Sequence, residues 1–351
     1  MAQYLDVRQF SRREFLKFSS ATLLSLLILS RPSLAYAANR QKEQADSRLG
    51  RIVKNKIKMY DSPSLDGNVI RSLSMDDIFP ITNTSIAEGD PLENLTWYEL
   101  DGLGFVHSGS VQPVEYRMND IVKSIPTTGL LSEVSVPYTD ALYDPNDASG
   151  ASTRLYYATT HWILGVFRDD TGQWWYEVLE DFYRKSYYVK TQHLRVIPAE
   201  ETSTLSPDVP ASDKKLEVRL NQQVVIAYEG DAQVQLFRCS AGIIKNDECL
   251  TPAGTFRTDY KRPSRHMIDG NDHHANTFNL PGVPWISYLD ENGISFHGTY
   301  WHNNFGVAMS HGCVNLPPEA AKWIYRWTLP VVPHEEQRGY QMNGGTKVII
   351  H

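Results

Sequence analysis

Ile294-Ser295-Phe296-His297-Gly298-Thr299 and, a short gap later, Ser310-His311-Gly312-Cys313-Val314-Asn315 bring a thiol, two histidines and two glycines into one region of the chain. A thiol attacks a carbonyl only as thiolate, and free cysteine ionises near pH ~8.5. A neighbouring imidazole can take that proton and later return it to a leaving amine. Gly312, just before the thiol, permits tight backbone geometry, and N–H groups there can stabilise the oxyanion of a tetrahedral intermediate. Just downstream, Pro317-Pro318-Glu319 supplies the pre-set φ and early acid of a helix start. Ala320, Trp323-Ile324 and Trp327 then recur at helical spacing, and Pro330 ends the run. The dipole of that helix favours a thiolate if its N-terminus is aimed at the sulfur. The residues alone leave the bland alternative open. A lone cysteine is more often a buried small hydrophobe than a nucleophile, and a lone histidine more often a structural hydrogen-bonder.

Upstream of this region the chain reads as strands. From Lys214, the residues Leu216, Val218 and Leu220 alternate with Lys215, Glu217 and Arg219, the period of a half-buried strand. Val224 to Tyr228 and Val234 to Phe237 continue the sheet across a turn at Glu229-Gly230-Asp231, and Thr346 to Ile350 forms the last strand. The whole segment 214–351 is similar to the L,D-transpeptidase (YkuD-type) family. The family's His-Gly, gap, Ser/Thr-His-Gly-Cys-x-Asn/Arg signature is met by His297-Gly298 and by Ser310 through Asn315. Tyr228-Glu229-Gly230 matches its early hairpin, and Thr251-Pro252-Ala253-Gly254-Thr255-Phe256 its Thr-Pro-x-Gly-x-Phe segment. The sequence departs at Ser240-Ala241-Gly242, where Ser-Thr-Gly is usual, and in a loop that carries Cys249.

The resemblance implies a role for each site residue. Cys313 attacks the carbonyl of the third stem residue of a peptidoglycan peptide, D-Ala leaves, and an amine from another stem resolves the thioester into a 3→3 cross-link. His297 is the base, with the Gly298 carbonyl orienting its ring, and His311 is a supporting histidine. Backbone amides of Gly312 and Cys313 form the oxyanion site. Ser310 and Asn315 hold the loop or touch substrate, a role that simple structural hydrogen bonding would equally explain. Carbapenem-type β-lactams are expected to acylate Cys313, and no cofactor is implied. Two rival readings stay open. Water in place of the amine gives an L,D-carboxypeptidase, and an inert last domain gives a non-catalytic wall-binding protein.

Towards the N-terminus, short apolar runs are broken by Gly, Pro and Asp over 48–116, which suggests a small barrel. Tyr60-Asp61-Ser62-Pro63, Trp97-Tyr98 and Gly102-Leu103-Gly104-Phe105-Val106 resemble a bacterial SH3-like domain. Over 126–198, Trp175-Tyr176-Glu177-Val178 echoes Trp97-Tyr98-Glu99-Leu100, so this stretch reads as a second SH3-like copy or a β-rich spacer. The second copy has Glu180 to Lys185 in place of the Gly-x-Gly turn. Residues 199–213 are acidic, Ser/Thr-rich and contain two prolines, the composition of a linker. The expected fold class is mainly β: one or two small SH3-like barrels, then a β-rich catalytic domain with one clear helix after Cys313.

The first 37 residues read as an export signal. Arg12-Arg13 precede an apolar run from Phe18 to Leu29 and an Ala35-Tyr36-Ala37 end, and the pattern resembles a twin-arginine signal. The apolar run is shorter than the ~20 residues a bilayer requires, so no stable span is expected after cleavage. Residues 38–47 form a polar lead. The expected location is the periplasm or cell wall. Formal charge is −7, and removing residues 1–37 takes away five basic and two acidic residues, leaving 29 basic and 39 acidic. That balance argues against a nucleic-acid partner. Cys239 and Cys249 are close enough in sequence to close a short loop, which would leave Cys313 as the odd thiol, though both can equally stay unpaired. Asp272-His273-His274 could suggest a metal, but histidines clustered in a loop are mostly solvated, and no metal is expected.

Overall fold

The computed structural model describes residues 48–89, 93–245, 248–268 and 278–351, with the side chains of 245, 248 and 249 excepted. The segments expected to form an export signal and a polar lead, and Asp272-His273-His274, lie outside the described residues. Seven strands come first: β1 (Leu49–Ile52), β2 (Ile57–Tyr60), β3 (Val69–Leu73), β4 (Ile78–Ile86), β5 (Thr96–Leu100), β6 (Gly104–His107) and β7 (Val111–Val114). They pair antiparallel in the order β3-β2-β6-β5-β4-β1-β7. Seven more follow: β8 (Leu130–Val134), β9 (Tyr138–Leu142), β10 (Ala151–Tyr156), β11 (Thr160–Arg168), β12 (Trp174–Glu180), β13 (Lys185–Lys190) and β14 (Leu194–Val196). Their order is β10-β9-β13-β12-β11-β8-β14, the first order with seven added to every label. Trp97 on β5 and Trp175 on β12 hold equivalent places, and both are buried. Each sheet closes over its own apolar cluster, one around Ile52, Met59 and Val106, the other around Val134, Ile163 and Val189.

The turn between the fifth and sixth strands is where the two units diverge. In the first, Gly102 adopts φ +64 and turns in open space. In the second, the corresponding loop holds Glu180 and Asp181, which face the last domain. Asp181 accepts from Arg262 Nη2 at 2.9 Å, Arg265 Nη1 at 2.8 Å and the His266 N–H at 2.8 Å. The missing Gly-x-Gly is thus replaced by a docking loop.

The stretch 199–213, linker-like in composition, is fastened along its length. Glu201 pairs with Arg195 at 2.5 Å and with Lys322 at 2.5 Å, and the Thr202 hydroxyl meets His334 Nδ1 at 2.9 Å.

The last part has two five-stranded sheets. β15 (Lys214–Arg219), β16 (Val224–Glu229), β17 (Ala232–Arg238), β20 (Gly254–Arg257) and β26 (Lys347–Ile350) run in the order β17-β16-β15-β26-β20. β21 (Tyr260–Ile268), β22 (Asn279–Tyr288), β23 (Ser295–Gly298), β24 (Val314–Leu316) and β25 (Gly339–Tyr340) run β24-β23-β22-β21-β25. A small hairpin, β18 (Ile244–Lys245) with β19 (Glu248–Cys249), lies apart. The alternation read over 214–219 appears as burial: Leu216 and Val218 are inside, Glu217 and Arg219 less so. Lys214 is also buried, because its ammonium donates to the Leu205 and Trp327 carbonyls.

The helix α1 (Pro318–Trp327) starts after Pro317 and stops at Thr328. Ala320, Ala321, Ile324, Tyr325 and Trp327 form its buried face, with Tyr325 against Trp285 of β22 at 5.3 Å between rings. Burying a large apolar side chain contributes ~1.5–3 kcal/mol, so this face fixes α1 on the sheet that carries β23 and β24. Buried Lys261 caps the helix end, donating to the Tyr325, Thr328 and Pro330 carbonyls. The main core is continuous with the second unit, because Leu131, Trp162 and Ile197 join it. Leu49–His351 is one compact unit. Among the described residues, no helix is long and apolar enough to cross a membrane.

Candidate active site

β23 and β24 run parallel, with Phe296 opposite Val314 and His297 opposite Asn315. One step back along that register, Ser295 faces Cys313. Side chains two apart on a strand share a face, so Ser295, His297, Cys313 and Asn315 stand on one side of the sheet. Cys313 and His297 are diagonal neighbours there. The sulfur itself meets Ser295 Oγ at 3.6 Å and the Gly293 carbonyl at 3.5 Å. Its hydrogen bonds among the described residues go to these two groups and not to the imidazole.

His297 is buried, and its Nδ1 lies 3.1 Å from the Gly298 carbonyl. A carbonyl can only accept, so Nδ1 carries the proton and Nε2 keeps its lone pair. Burial lowers the imidazole pKa to about 4, against the small opposing effect of the Gly298 bond. Burial raises the Cys313 thiol, and hydrogen bonds from the Ser295 hydroxyl and backbone pull it partly back. Thiol and imidazole are therefore both neutral near pH 7. The resting pair is a neutral thiol and a neutral imidazole, not a preformed thiolate–imidazolium.

The loop before the thiol is tightly held. Gly312 has φ +136, in the region that favours glycine. Its carbonyl accepts from Thr251 Oγ1 at 2.7 Å, and Thr251 Oγ1 in turn accepts from the Gly242 N–H at 2.7 Å. The Ser310 hydroxyl donates to the Cys313 carbonyl at 2.5 Å and accepts the Gly312 N–H at 3.1 Å. Of the two amides expected to face an oxyanion, that of Gly312 is thus engaged at rest. Ser240 and Asn315 exchange both backbone bonds at 2.9 Å, which ties Ser240-Ala241-Gly242 to β24.

The Asn315 side-chain amide lies 3.0 Å from His302 Nε2, and the Asn304 N–H donates to His302 Nδ1 at 3.2 Å. His311, by contrast, is exposed, with its ring 6.4 Å from that of Phe278.

Sequence reasoning assigned no role to three residues that the structure brings in. Ser295 touches the sulfur, Thr251 locks the Gly312 carbonyl, and His302 holds Asn315. Thr251 lies inside a matched motif and Ser295 two residues before one, which was the available signal; His302 carried none. The sequence left Cys239 either paired with Cys249 or unpaired. Cys239 is a free thiol packed in the main core, where burial pushes it up to about 12. The side chain of Cys249 is outside the described ones. Among the described residues, no group of three or more His, Cys, Asp or Glu is placed to hold a metal ion. His266 is held by Glu180 and by Asn279.

Across the sheet from the thiol, Ser295 pairs with Tyr288, Tyr288 with Tyr260, and Tyr260 with Tyr340. This row leads into a cavity of about 400 Å³ lined by the three tyrosines with Asp290 and Glu291. Tyr260 and Tyr288 are stacked at 5.1 Å.

The first unit reaches the segment between the two halves of the site. Asn94 Nδ2 donates to Asn304 Oδ1 at 3.0 Å, the Asn303 N–H to the Gly109 carbonyl at 3.2 Å, and Arg51 Nη2 to the Tyr300 carbonyl at 2.7 Å.

Residues 213–350 match the family described as the L,D-transpeptidase catalytic domain (YkuD). A Bacillus subtilis (strain 168) protein, YciB, provisionally named an L,D-transpeptidase, is 23% identical over 129 residues, 34% of this chain and 63% of that one. An L,D-transpeptidase structure from Mycobacterium smegmatis aligns with TM-score 0.32 at 19% identity, over 40% of this chain and 58% of that one. The catalytic domain of the E. faecium enzyme aligns with TM-score 0.30 at 25% identity, over 40% of this chain and 97% of that one. The chain thus spans less than two thirds of the Bacillus and Mycobacterium proteins. The segment that carries Cys313 and His297 is, over 213–350, similar to the L,D-transpeptidase catalytic domain.

Proposed function

We propose that this protein is an exported L,D-transpeptidase that forms 3→3 cross-links between peptidoglycan stems through a thioester on Cys313. The observation that carries the reading is the shared face of the parallel pair β23–β24. It sets Cys313 and His297 as diagonal neighbours, with Nδ1 fixed on the Gly298 carbonyl and Nε2 free to accept. The match over 213–350 supports the reaction class.

The donor stem lies along the tyrosine-lined cavity on the Ser295 side. His297 Nε2 takes the thiol proton as the sulfur attacks the carbonyl of the third stem residue. The Cys313 amide stabilises the oxyanion, joined by that of Gly312 once Ser310 releases it. The carbon–nitrogen bond to D-Ala then breaks, and its amine takes the proton from His297. A side-chain amine of a second stem next attacks the thioester and gives its extra proton to His297. The carbon–sulfur bond breaks, the sulfur regains the proton, and one amide has been exchanged for another. His302 and Asn315 fix the floor of the site, and exposed His311 lies at its rim. The two N-terminal units are repeats of one SH3-like module, a reading supported by their common strand order, and they hold the enzyme on the wall.

Incubation of the purified chain with tetrapeptide muropeptides, followed by mass spectrometry, tests the reaction. Dimers joined 3→3 are expected. Tripeptide without dimers would assign the thioester to water, an L,D-carboxypeptidase. Intact mass after a carbapenem tests the nucleophile: a single adduct is expected on the wild type and none on Cys313→Ala. An equal adduct on both would end the thiol mechanism.

A further inference from the structure

A second cavity, about 250 Å³, lies where the three parts of the chain meet, off the C-terminal end of β23. Arg51 of the first unit, Arg154 and Tyr156 of the second, and Asn279, Tyr300 and Trp301 of the last line it. Its aromatic wall is built: Tyr156 stacks on Tyr300 at 5.4 Å, and the Arg51 guanidinium sits 4.1 Å over the Tyr156 ring. Its distance from the chemistry is one side chain, because the Trp301 ring is 5.7 Å from the His297 ring.

The lining holds two guanidiniums and no carboxylate. Asp76, which pairs with both arginines at 2.8 and 2.9 Å, and Asp140, which pairs with Arg154 at 2.8 Å, are outside the lining. A guanidinium has five N–H donors. Arg51 directs four bonds, to Gln112 twice, to Asp76 and to the Tyr300 carbonyl. Arg154 directs three, to Asp140 twice and to Asp76. The inner shell fixes both forks, and Arg154, about a third exposed where Arg51 is buried, leaves N–H groups over for a ligand. A fixed, part-exposed Arg154 guanidinium, with buried Arg51 behind it and aromatic faces beside it, suits a planar anion with an apolar stem, above all a carboxylate.

We propose that this junction cavity binds a carboxylate of the acceptor stem peptide and presents the attacking amine from the His297 side. The inference rests on the transpeptidase reading for what the ligand is, while the cavity and its charge are independent of it. Donor and acceptor then approach from two directions, the tyrosine row by the sulfur and the junction by the imidazole. The acceptor site exists only when both N-terminal units are docked, which gives those units a part in the reaction itself.

The test uses the full mature chain and an N-acetylated stem tripeptide, which lacks the D-Ala leaving group, in two forms: free C-terminal acid and fully amidated. Calorimetric titration is expected to give binding of the acid about tenfold tighter than the amide. Arg154→Gln is expected to abolish that difference. Thr153→Trp, which fills the cavity from β10 without altering charge, is expected to weaken the acid by a similar factor. Equal affinity of acid and amide, or discrimination that survives both variants, would overturn the proposal. Repeating the titration on protein acylated at Cys313 by a carbapenem separates the two stem sites. Retained binding supports the junction, and lost binding assigns the carboxylate to the donor side. If no adduct forms on wild type, the transpeptidase reading fails, while the acid-against-amide comparison still decides the cavity.

Discussion

The sulfur of Cys313 rests on a hydroxyl, not on an imidazole, and this decides how its reactivity depends on pH. With His297 held near 4 and the thiol raised, no thiolate is preformed at neutral pH. Alkylation of Cys313 by iodoacetamide is therefore expected to be slow from pH 6 to 8 and to climb only above the ordinary thiol range. A plateau already reached at neutral pH would reveal a thiolate–imidazolium pair and contradict the neutral dyad. Ser295→Ala removes the hydroxyl that favours the ionised sulfur. Hydrogen bonds to charged groups are worth ~1.5–3 kcal/mol, so carbapenem acylation of this variant should slow by about tenfold or more with the fold retained. An unchanged rate would make Ser295 a bystander. Thr251 acts on the backbone instead. Thr251→Val would strand the Gly312 carbonyl and the Gly242 N–H inside the protein. Chemical denaturation should register a loss of ~1–3 kcal/mol, which Thr251→Ser restores; an unaffected midpoint would mean that the loop is held by other bonds.

At the scale of elements, the site depends on how closely β23 approaches α1. Gly298 supplies the carbonyl that orients His297, and it has no room for a side chain. A Cβ there would stand 2.7 Å from Pro284 Cγ and 3.0 Å from Pro318 Cα, the first residue of the helix. Overpacking of this kind costs ~1–3 kcal/mol. Gly298→Ala should therefore lower the melting temperature and the acylation rate together. Gly102→Ala, at a turn with φ +64 and open space, should cost ~1 kcal/mol and leave acylation alone. Equal acylation by the two variants would separate β23 packing from catalysis. The same elements mark what the sequence disclosed. Strand β15 was legible because alternation is local, and α1 because its prolines and apolar spacing are local too. Cys313 and His297 were legible because each lies in a short motif. Ser295 stood in the quoted stretch without a role, since its contact with the sulfur follows from the register of two strands. His302, Thr251 and the reach of Arg51 to Tyr300 depend on residues far apart in the chain. Nearness in sequence left Cys239 open between pairing and a free thiol; its side chain lies in the core just after β17.

For the whole molecule, the balance of buried histidines sets the response to acid. His161, His297 and His302 are buried, and burial brings them to about 3, 4 and 3. In the unfolded chain each takes up a proton near pH ~6.5. Below that value the unfolded state binds protons that the folded state refuses, so stability falls as pH drops from about 6.5 towards 4. Three such groups together give a slope on the order of 2–4 kcal/mol per pH unit in that window. The carboxylates act lower. Glu201, held at about 2 first by its hydrogen bond from Arg195, and Glu217, held at about 2 first by that from Arg219, withdraw their contribution as pH falls below about 4.5. Because the second unit shares the main core with the last domain, these losses should appear in one cooperative transition involving both. Urea unfolding of the full chain, followed by tryptophan fluorescence from pH 8 to 4, is expected to show a midpoint that declines steadily from about pH 6.5. His161 lies away from the thiol, with its ring against Gly282 and Nε2 on Thr159 at 2.9 Å. His161→Gln should remove about a third of the decline. A midpoint flat down to pH 4.5 would mean that the buried imidazoles accept protons in the folded protein as readily as in the unfolded chain, and that burial does not hold His297 neutral in acid.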